Sequence, residues 1–226
     1  MVESLPPVIA IDGPSASGKG TVAQKVAEAL GFHYLDSGSL YRLVGLVARN
    51  SGISLDDEVR LAGVAGNLAV AFSGDKILIE KQDVTEGIRT EESGRAASAV
   101  AVHPQVRTAL LDRQRAFRQL PGLVADGRDM GSVVFPDARL KVFLTATVEE
   151  RAMRRYKQLK QKGIVATLDP LLQDLRERDA RDESRSAAPL RQGSDARLLD
   201  TTAMSIADAV ERVLTWYRAE TGDARH

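Results

Sequence analysis

Residues 8–21 read Val-Ile-Ala-Ile-Asp-Gly-Pro-Ser-Ala-Ser-Gly-Lys-Gly-Thr. The β-branched and apolar run at 8–11 predicts a strand that is buried on both faces. Apolar residues at helical spacing occupy 22–30, and Gly31 follows where that helix is expected to end. Between strand and helix stand Gly, four residues and Gly-Lys, which is the spacing and the context of a P-loop.

The glycine-rich loop predicts a site for the phosphates of a nucleotide. Glycines let backbone N–H groups converge on phosphate oxygens, the helix N-terminus adds its positive dipole end, and Lys19 supplies a charge. The strict pattern has Ser or Thr directly after the lysine, whereas this chain has Gly20 and then Thr21. Thr21 is the candidate Mg²⁺ ligand, and contact through water is as open as direct contact.

The rest of the chain alternates predicted strands with predicted helices. Further strands are predicted at 32–35, 123–125, 140–144 and 197–199, and further helices at 40–50, 104–119, 148–162 and 206–218. Thr147-x-x-Glu150 and Ser205-x-x-Asp208 are typical of helix starts, and Gly163 of a helix end. Alternation of this kind implies an α/β fold with a parallel sheet covered by helices on both faces.

Two segments depart from this alternation. Short strands at 68–72 and 76–80 flank a turn at 73–75, and a hairpin does not belong in a parallel core. We therefore predict an inserted subdomain at 63–101, with a helix near its end, within a core domain formed by 1–62 and 102–226. The second segment, 157–169, has a glycine within a basic helix and few apolar anchors, so we predict a short lid there.

Composition excludes several classes of function. The 226 residues include no cysteine, which excludes disulfides, thiolate zinc sites and a cysteine nucleophile. A formal net charge of zero and 4% aromatic residues disfavour nucleic-acid binding. The longest run without a charged residue has 14 residues, too short for a membrane span, and the N-terminus lacks the pattern of a signal peptide. We expect a monomer in the cytoplasm.

Charged clusters indicate what the nucleotide site does. The two asparagines are not part of an Asn-Lys-x-Asp motif, which disfavours a GTPase. Residues 151–185 hold seven Arg and three Lys against six acidic residues, and such cations stabilise a migrating phosphoryl group. Mixed acid and arginine clusters at 36–42 and 126–131 follow predicted strands, where α/β sheets bind ligands. Any single arginine could instead lie on a solvated helix face, and each cluster could be a structural ion pair.

Taken together, these segments resemble the bacterial cytidylate kinases over nearly the whole chain. The specific features are Asp-Gly-Arg-Asp-Met-Gly at 126–131 and Arg-Asp-Ala-Arg-Asp at 178–182, in this order after the P-loop. The resemblance implies a P-loop nucleoside monophosphate (NMP) kinase fold. It consists of a five-stranded parallel sheet flanked by helices, a small β-containing NMP-binding insert and a short lid. It also implies transfer of the γ-phosphoryl group of ATP to CMP or dCMP with Mg²⁺.

The resemblance further implies roles for individual residues. ATP would be bound by Gly13, Pro14, Ser15, Ala16, Ser17, Gly18, Lys19, Gly20 and Thr21. CMP would be bound by Ser37, Tyr41, Arg42, Ser98, Arg107, Arg128, Asp129, Arg178, Asp182 and Arg185. The residues expected to act in catalysis are Lys19, Arg128, Arg178 and Arg185. Asp129 can accept a hydrogen bond from the 4-amino group of cytosine, which uracil lacks.

Two alternatives remain open from the sequence alone. The chain could be a kinase of the same architecture that acts on UMP or AMP. It could also be a P-loop module that binds ATP as a conformational signal without transferring phosphate, because a fold does not determine a function.

Overall fold

The strand predicted at the start of the chain lies at the centre of a five-stranded parallel sheet. In the computed structural model, which describes residues 5–73 and 76–222, the strands are β1 Val8–Asp12, β2 His33–Asp36, β3 Val70–Ser73, β4 Lys76–Ile79, β5 Gln82–Asp83, β6 Leu123–Gly127, β7 Leu140–Thr145 and β8 Arg197–Asp200. The helices are α1 Lys19–Leu30, α2 Ser37–Asn50, α3 Glu58–Gly66, α4 Glu91–Val100, α5 Pro104–Arg115, α6 Val148–Gln161, α7 Leu168–Ser184 and α8 Ile206–Thr221. The chain divides into two units, one formed by Met1–Asp36 with Arg115–His226 and the other by Ser37–Gln114.

The first unit contains the parallel sheet, with strand order β2-β6-β1-β7-β8. Ile9 and Ile11 of β1 are fully buried and pack with Val22 and Val26 of α1 and with Val213 of α8. Each such side chain contributes ~1.5–3 kcal/mol relative to exposure. The five-stranded parallel sheet predicted from the sequence is confirmed, and the carboxyl ends of its strands meet at one edge. Among the residues that the structure describes, no helix is long and apolar enough to cross a membrane.

The predicted helix starts are confirmed by hydrogen bonds. The Thr147 hydroxyl accepts from the backbone N–H of Glu150 at 3.3 Å, and the Ser205 hydroxyl from that of Asp208 at 3.2 Å. Both bonds satisfy an N–H group that the first turn of a helix leaves without an intrahelical partner.

We expect Ser205→Ala to lower the free energy of unfolding by ~1 kcal/mol, the usual effect of removing a helix cap. Denaturant titration measures this, with Ser205→Thr as the control because threonine can make the same bond. An unchanged midpoint in the alanine variant would contradict the role of the cap.

The described part of the second unit contains α2 to α5, a short 3-10 helix at Gly87–Arg89 and a small antiparallel sheet with strand order β3-β4-β5. The hairpin predicted from the sequence forms, but the third strand and helix α3 were not predicted. Asp57 caps α3 by accepting from the backbone N–H of Arg60 at 3.1 Å. Residues 74 and 75 of the predicted turn lie outside the described residues. The predicted insert, 63–101, belongs to this unit, and its role in NMP binding stays a prediction.

Two helices meet at the segment predicted as a lid. Helix α6 ends at Gln161, and Gly163 follows with a φ of 72°, as predicted for a helix end. Helix α7 begins at Leu168 and was not predicted, because polar side chains dominate its sequence. Only 162–167 of the predicted lid is therefore outside a helix, and its function stays a prediction.

Candidate functional site

The loop between β1 and α1 requires glycine at two positions. A Cβ atom on Gly13 would lie 1.9 Å from the carbonyl oxygen of Leu144 on β7, a distance that no side chain allows. Gly18 is the N-cap residue of α1 with a φ of 94°, and as a glycine it has no side chain with which to cap the helix. The N–H groups of the first turn of α1 are therefore left for another acceptor, which suits a phosphate.

Lys19 is the buried cation of this loop. Its Nζ atom donates to the carbonyl oxygen of Pro14 at 3.3 Å. Burial, and then the charge of Arg128, lower the pKa of Lys19 to about 8, against the opposing effect of Asp126 and Asp36. Lys19 and Arg128 are both cations of the kind that binds phosphate, and Arg128 thus lies close enough for its charge to lower the pKa of Lys19.

Two carboxylates lie beside Lys19 at the carboxyl ends of neighbouring strands. Asp36 on β2 is paired in register with Asp126 on β6. Burial, and then the charge of Asp36, raise the pKa of Asp126 to about 6. The Tyr34 hydroxyl donates to Asp126 Oδ2 at 2.7 Å. A Cβ atom on Gly20 would lie 3.1 Å from that same oxygen, so a Ser or Thr here, as in the strict P-loop pattern, would require the Asp126 side chain to shift by a few tenths of an ångström.

These carboxylates fit a magnesium ion better than a metal that needs a full protein cage. No group of three or more His, Cys, Asp or Glu residues that could hold a metal occurs in the described parts of the chain. Mg²⁺ usually takes one or two carboxylates and completes its shell with water and substrate phosphates. Asp36 and Asp126 meet that requirement. Thr21, the ligand predicted from the sequence, is exposed in the first turn of α1.

Arg128 connects the P-loop to helix α7. Its Nη2 donates to Ser15 Oγ at 2.8 Å, and its Nε donates to Asp182 Oδ2 at 2.8 Å. Asp182 is buried and also accepts from Arg185. Burial alone would raise the pKa of Asp182, but Arg128 and Arg185 outweigh it and hold that pKa below its usual value. Two guanidinium groups thus share one buried carboxylate next to the P-loop.

Asp12 fixes the backbone that follows Arg128. Its two carboxylate oxygens accept from the N–H groups of Met130 and Gly131 at 2.8 and 2.9 Å. Burial raises the pKa of Asp12 to about 7 despite these two bonds. The carboxylate therefore ties the end of β1 to the short π-helix Met130–Val134, directly beyond Asp129.

The likeness to known proteins extends over nearly the whole chain. The family model described as cytidylate kinase matches residues 9–219. The chain belongs to the cytidylate kinase family. It is 59% identical over 217 residues to a cytidylate kinase of Cupriavidus necator, covering 96% of this chain and 98% of that one. It is 60% identical over 213 residues to those of Paraburkholderia phymatum (94% of this chain, 93% of that one) and Polynucleobacter asymbioticus (94% and 97%).

In this member of the cytidylate kinase family, the predicted site residues divide between the two units. The first unit holds Gly13 to Thr21, Arg128, Asp129, Arg178, Asp182 and Arg185. Direct bonds join Ser15, Arg128, Asp182 and Arg185. Asp129 is buried where the short π-helix begins, and Arg178 lies on α7, where its charge lowers the pKa of both Lys19 and Asp182.

The second unit holds the remaining predicted residues of the family site. Ser37 is buried at the start of α2, and Ser98 is buried in α4. Arg42 Nη1 donates to the carbonyl oxygen of Ile88 at 2.8 Å. The guanidinium of Arg107 lies 5.8 Å from the centre of the Tyr41 ring, a cation–π distance. The individual roles of these residues in binding stay predictions.

The sequence alone does not identify Asp12, Asp36 or Asp126 as site residues. Asp36 and Asp126 stand inside the two clusters that were noted, but their pairing depends on β2 lying beside β6. That strand order is not contained in any local pattern.

Proposed function

We propose that this chain transfers the γ-phosphoryl group of ATP to CMP or dCMP, forming ADP and CDP or dCDP. The observation that carries the proposal is the meeting of Lys19, Arg128 and Asp182 around one P-loop, in a chain of the cytidylate kinase family. Phosphoryl transfer depends on placing cations where negative charge spreads over the migrating group.

ATP binds to the first unit in this proposal. The uncapped start of α1 and the glycine-rich loop offer backbone N–H groups to the phosphates, and Lys19 adds a buried positive charge. A bound Mg²⁺ would neutralise phosphate charge, and Asp36, Asp126 and Thr21 are the residues that would hold it, directly or through water. The remaining catalytic contributions come from the chain's own cations.

The transfer itself is a direct in-line displacement. The acceptor phosphate of CMP is already anionic near pH 7, so no strong general base is required. Arg128, Arg178 and Arg185 stabilise the transferring group, and Asp182 keeps two of these guanidinium groups in place. Catalysis then consists mainly of positioning and of charge stabilisation.

CMP is recognised through its base, sugar and phosphate. Ser37, Arg107, Asp129 and Arg185 contact cytosine, Ser98, Arg178 and Asp182 contact the sugar, and Arg42 and Arg128 contact the phosphate. Asp129 accepts from the 4-amino group, whereas uracil would place a carbonyl oxygen against the carboxylate. An unpaired polar group of this kind costs ~1–3 kcal/mol, which predicts a preference for cytosine of roughly tenfold to a hundredfold.

Initial rates test this proposal most directly. At matched concentrations we expect turnover with CMP and dCMP, and values of kcat/KM at least about tenfold lower with UMP and AMP. We expect no isotope exchange between ATP and ADP in the absence of CMP, because no phosphoenzyme forms. Equal rates with UMP or AMP would favour the related kinases, and ATP binding without an acceptor-dependent rate would favour a binding module.

Activity should depend on pH through Lys19. Burial lowers the pKa of Lys19 to about 8, so the free protein loses this cation as the pH rises above that value. We expect kcat/KM for ATP to fall about tenfold per pH unit above pH 8, since this parameter reports groups of the free enzyme. A pH–rate profile between pH 6 and about 9.5 measures it, and a flat profile would contradict the assignment.

We also propose that the enzyme acts as a monomer. All residues assigned to ATP and CMP come from one chain, so a second copy is not needed to complete the site. Light scattering at assay concentrations checks this. An oligomer that loses its activity when dilution dissociates it into monomers would contradict the proposal.

A further inference from the structure

The P-loop contains a residue with an unfavourable backbone conformation. Ala16 has a φ of 58°, in the left-handed region that an L-residue other than glycine rarely adopts. A left-handed residue within a loop helps to turn successive N–H groups toward one concave side, which can bind an anion. The contacts around Ala16 therefore decide whether the loop holds this form.

Two arginines of α6 bind the carbonyl groups on either side of Ala16. Arg151 Nη1 donates to the carbonyl oxygen of Ser15 at 3.1 Å, and Arg154 Nη1 donates to that of Ser17 at 3.0 Å. Residues three apart share one face of a helix, so both guanidinium groups reach the loop from α6. The carbonyl groups of the residues before and after Ala16 are thus both bound by arginine side chains.

Arg151 is itself fixed by protein acceptors at each of its nitrogens. Its Nε donates to the carbonyl oxygen of Ala146 at 3.0 Å, and its two terminal nitrogens form a forked pair with Asp179 at 3.1 and 2.5 Å. The residue is only 4% exposed. These contacts indicate that Arg151 connects the P-loop to α7 and does not contact the nucleotide. The sequence had predicted instead that the basic segment 151–185 neutralises phosphates.

Arg154 is held in a similar way. It donates to the carboxylate of Glu150 at 2.9 Å, and to the carbonyl oxygen and hydroxyl of Thr201 at 2.5 and 3.1 Å. The Thr201 hydroxyl lies 3.2 Å from the carbonyl oxygen of Ser17 and 3.0 Å from that of Thr145, so these two oxygens share its one proton. The loop is therefore fixed to both α6 and the segment after β8.

We infer that Arg151, held by Asp179, and Arg154 are positioning residues that keep the P-loop in its phosphate-binding form by fixing the carbonyl groups that flank Ala16. Because both carbonyl groups are bound from the α6 side, leaving the left-handed form at Ala16 would strain or break at least one of these two hydrogen bonds. The inference rests on the proposed function only in taking the phosphates to be those of ATP.

The variant Arg151→Lys tests the inference. Lysine keeps the charge but has no fork, so it cannot bind Asp179 at two points and the Ser15 carbonyl together. We expect the Kd and KM for ATP to rise about tenfold, the effect of losing roughly one charge-assisted hydrogen bond, while KM for CMP changes less than about twofold. Arg176→Lys is the matched control, because Arg176 pairs with Glu149 between the same two helices on the exposed surface.

A second change separates positioning from a general loss of stability. In the Arg151→Lys background, Ala16→Gly removes the bias against a positive φ, so we expect ATP affinity to recover about threefold or more. Parallel rises in the KM values for ATP and CMP, or an ATP affinity equal to that of Arg176→Lys, would overturn the inference. So would a double variant without recovery.

Direct titration with ATP in the absence of CMP keeps this test independent of the acceptor. If the wild-type chain fails to phosphorylate CMP but Arg151→Lys still weakens ATP binding, the proposed function fails and the positioning role stands. If the wild type phosphorylates CMP and Arg151→Lys binds ATP normally, the proposed function stands and the positioning role fails.

Discussion

Lys19→Met is expected to lower kcat/KM for ATP by ~100- to 1,000-fold while the protein stays folded. The buried ammonium group lies in the P-loop, 3.3 Å from the carbonyl oxygen of Pro14. Methionine has a similar length but no charge, so the terminal phosphates lose a cation at the point where charge develops. Burial already disfavours the charged form of Lys19, as its lowered pKa indicates, so its removal should not unfold the chain. Steady-state kinetics and circular dichroism measure the two effects.

Lys25→Met provides the control for this variant. Lys25 lies on the same helix and is exposed. Its substitution by methionine removes the same positive charge, but at a position away from the loop. We expect this control to retain wild-type kinetics. Turnover of the Lys19 variant within about tenfold of wild type would contradict the assignment of the P-loop as the ATP site.

The parts of the site that a short stretch of sequence contains could be predicted. The P-loop is one example, because strand, glycines and lysine are contiguous and their spacing alone determines how N–H groups and charge converge. The pattern explains Gly13 by the close approach of backbone N–H groups to phosphate, and the structure adds a second reason for this glycine. The Leu144 carbonyl, 131 positions further along the chain, occupies the space of its missing side chain. That contact depends on β7 lying beside β1.

The parts that depend on strand order could not be predicted. Asp12 binds the backbone of Met130 and Gly131 across the sheet edge, and no local pattern distinguishes this carboxylate from a turn residue. The two arginines of α6 that bind the P-loop were missed for a different reason. A run of charged residues on a helix is usually solvated, and only tertiary contacts reveal that Arg151 is enclosed between the P-loop and α7.

Asp182→Asn is expected to lower the free energy of unfolding by ~3–5 kcal/mol at pH 7. Asp182 is buried and accepts from both Arg128 and Arg185, so the change leaves two guanidinium groups without their shared negative charge. Denaturant titration measures the loss. Glu183→Gln, the same chemical change at the next and exposed position, is the control and should cost at most ~0.5 kcal/mol.

The pH dependence of this loss identifies its cause. The arginines hold the pKa of Asp182 below its usual value of 3.8, so its contribution to stability is complete above that pH. The contribution disappears as the pH falls through the lowered pKa, where the folded state must also take up the proton. We therefore expect the difference in stability between wild type and Asp182→Asn to be constant above pH 3.8 and to shrink steadily as the pH is lowered below it. A difference that did not shrink in acid would point to packing rather than charge. It would also remove the reason for treating Asp182 as the residue that keeps Arg128 at the P-loop.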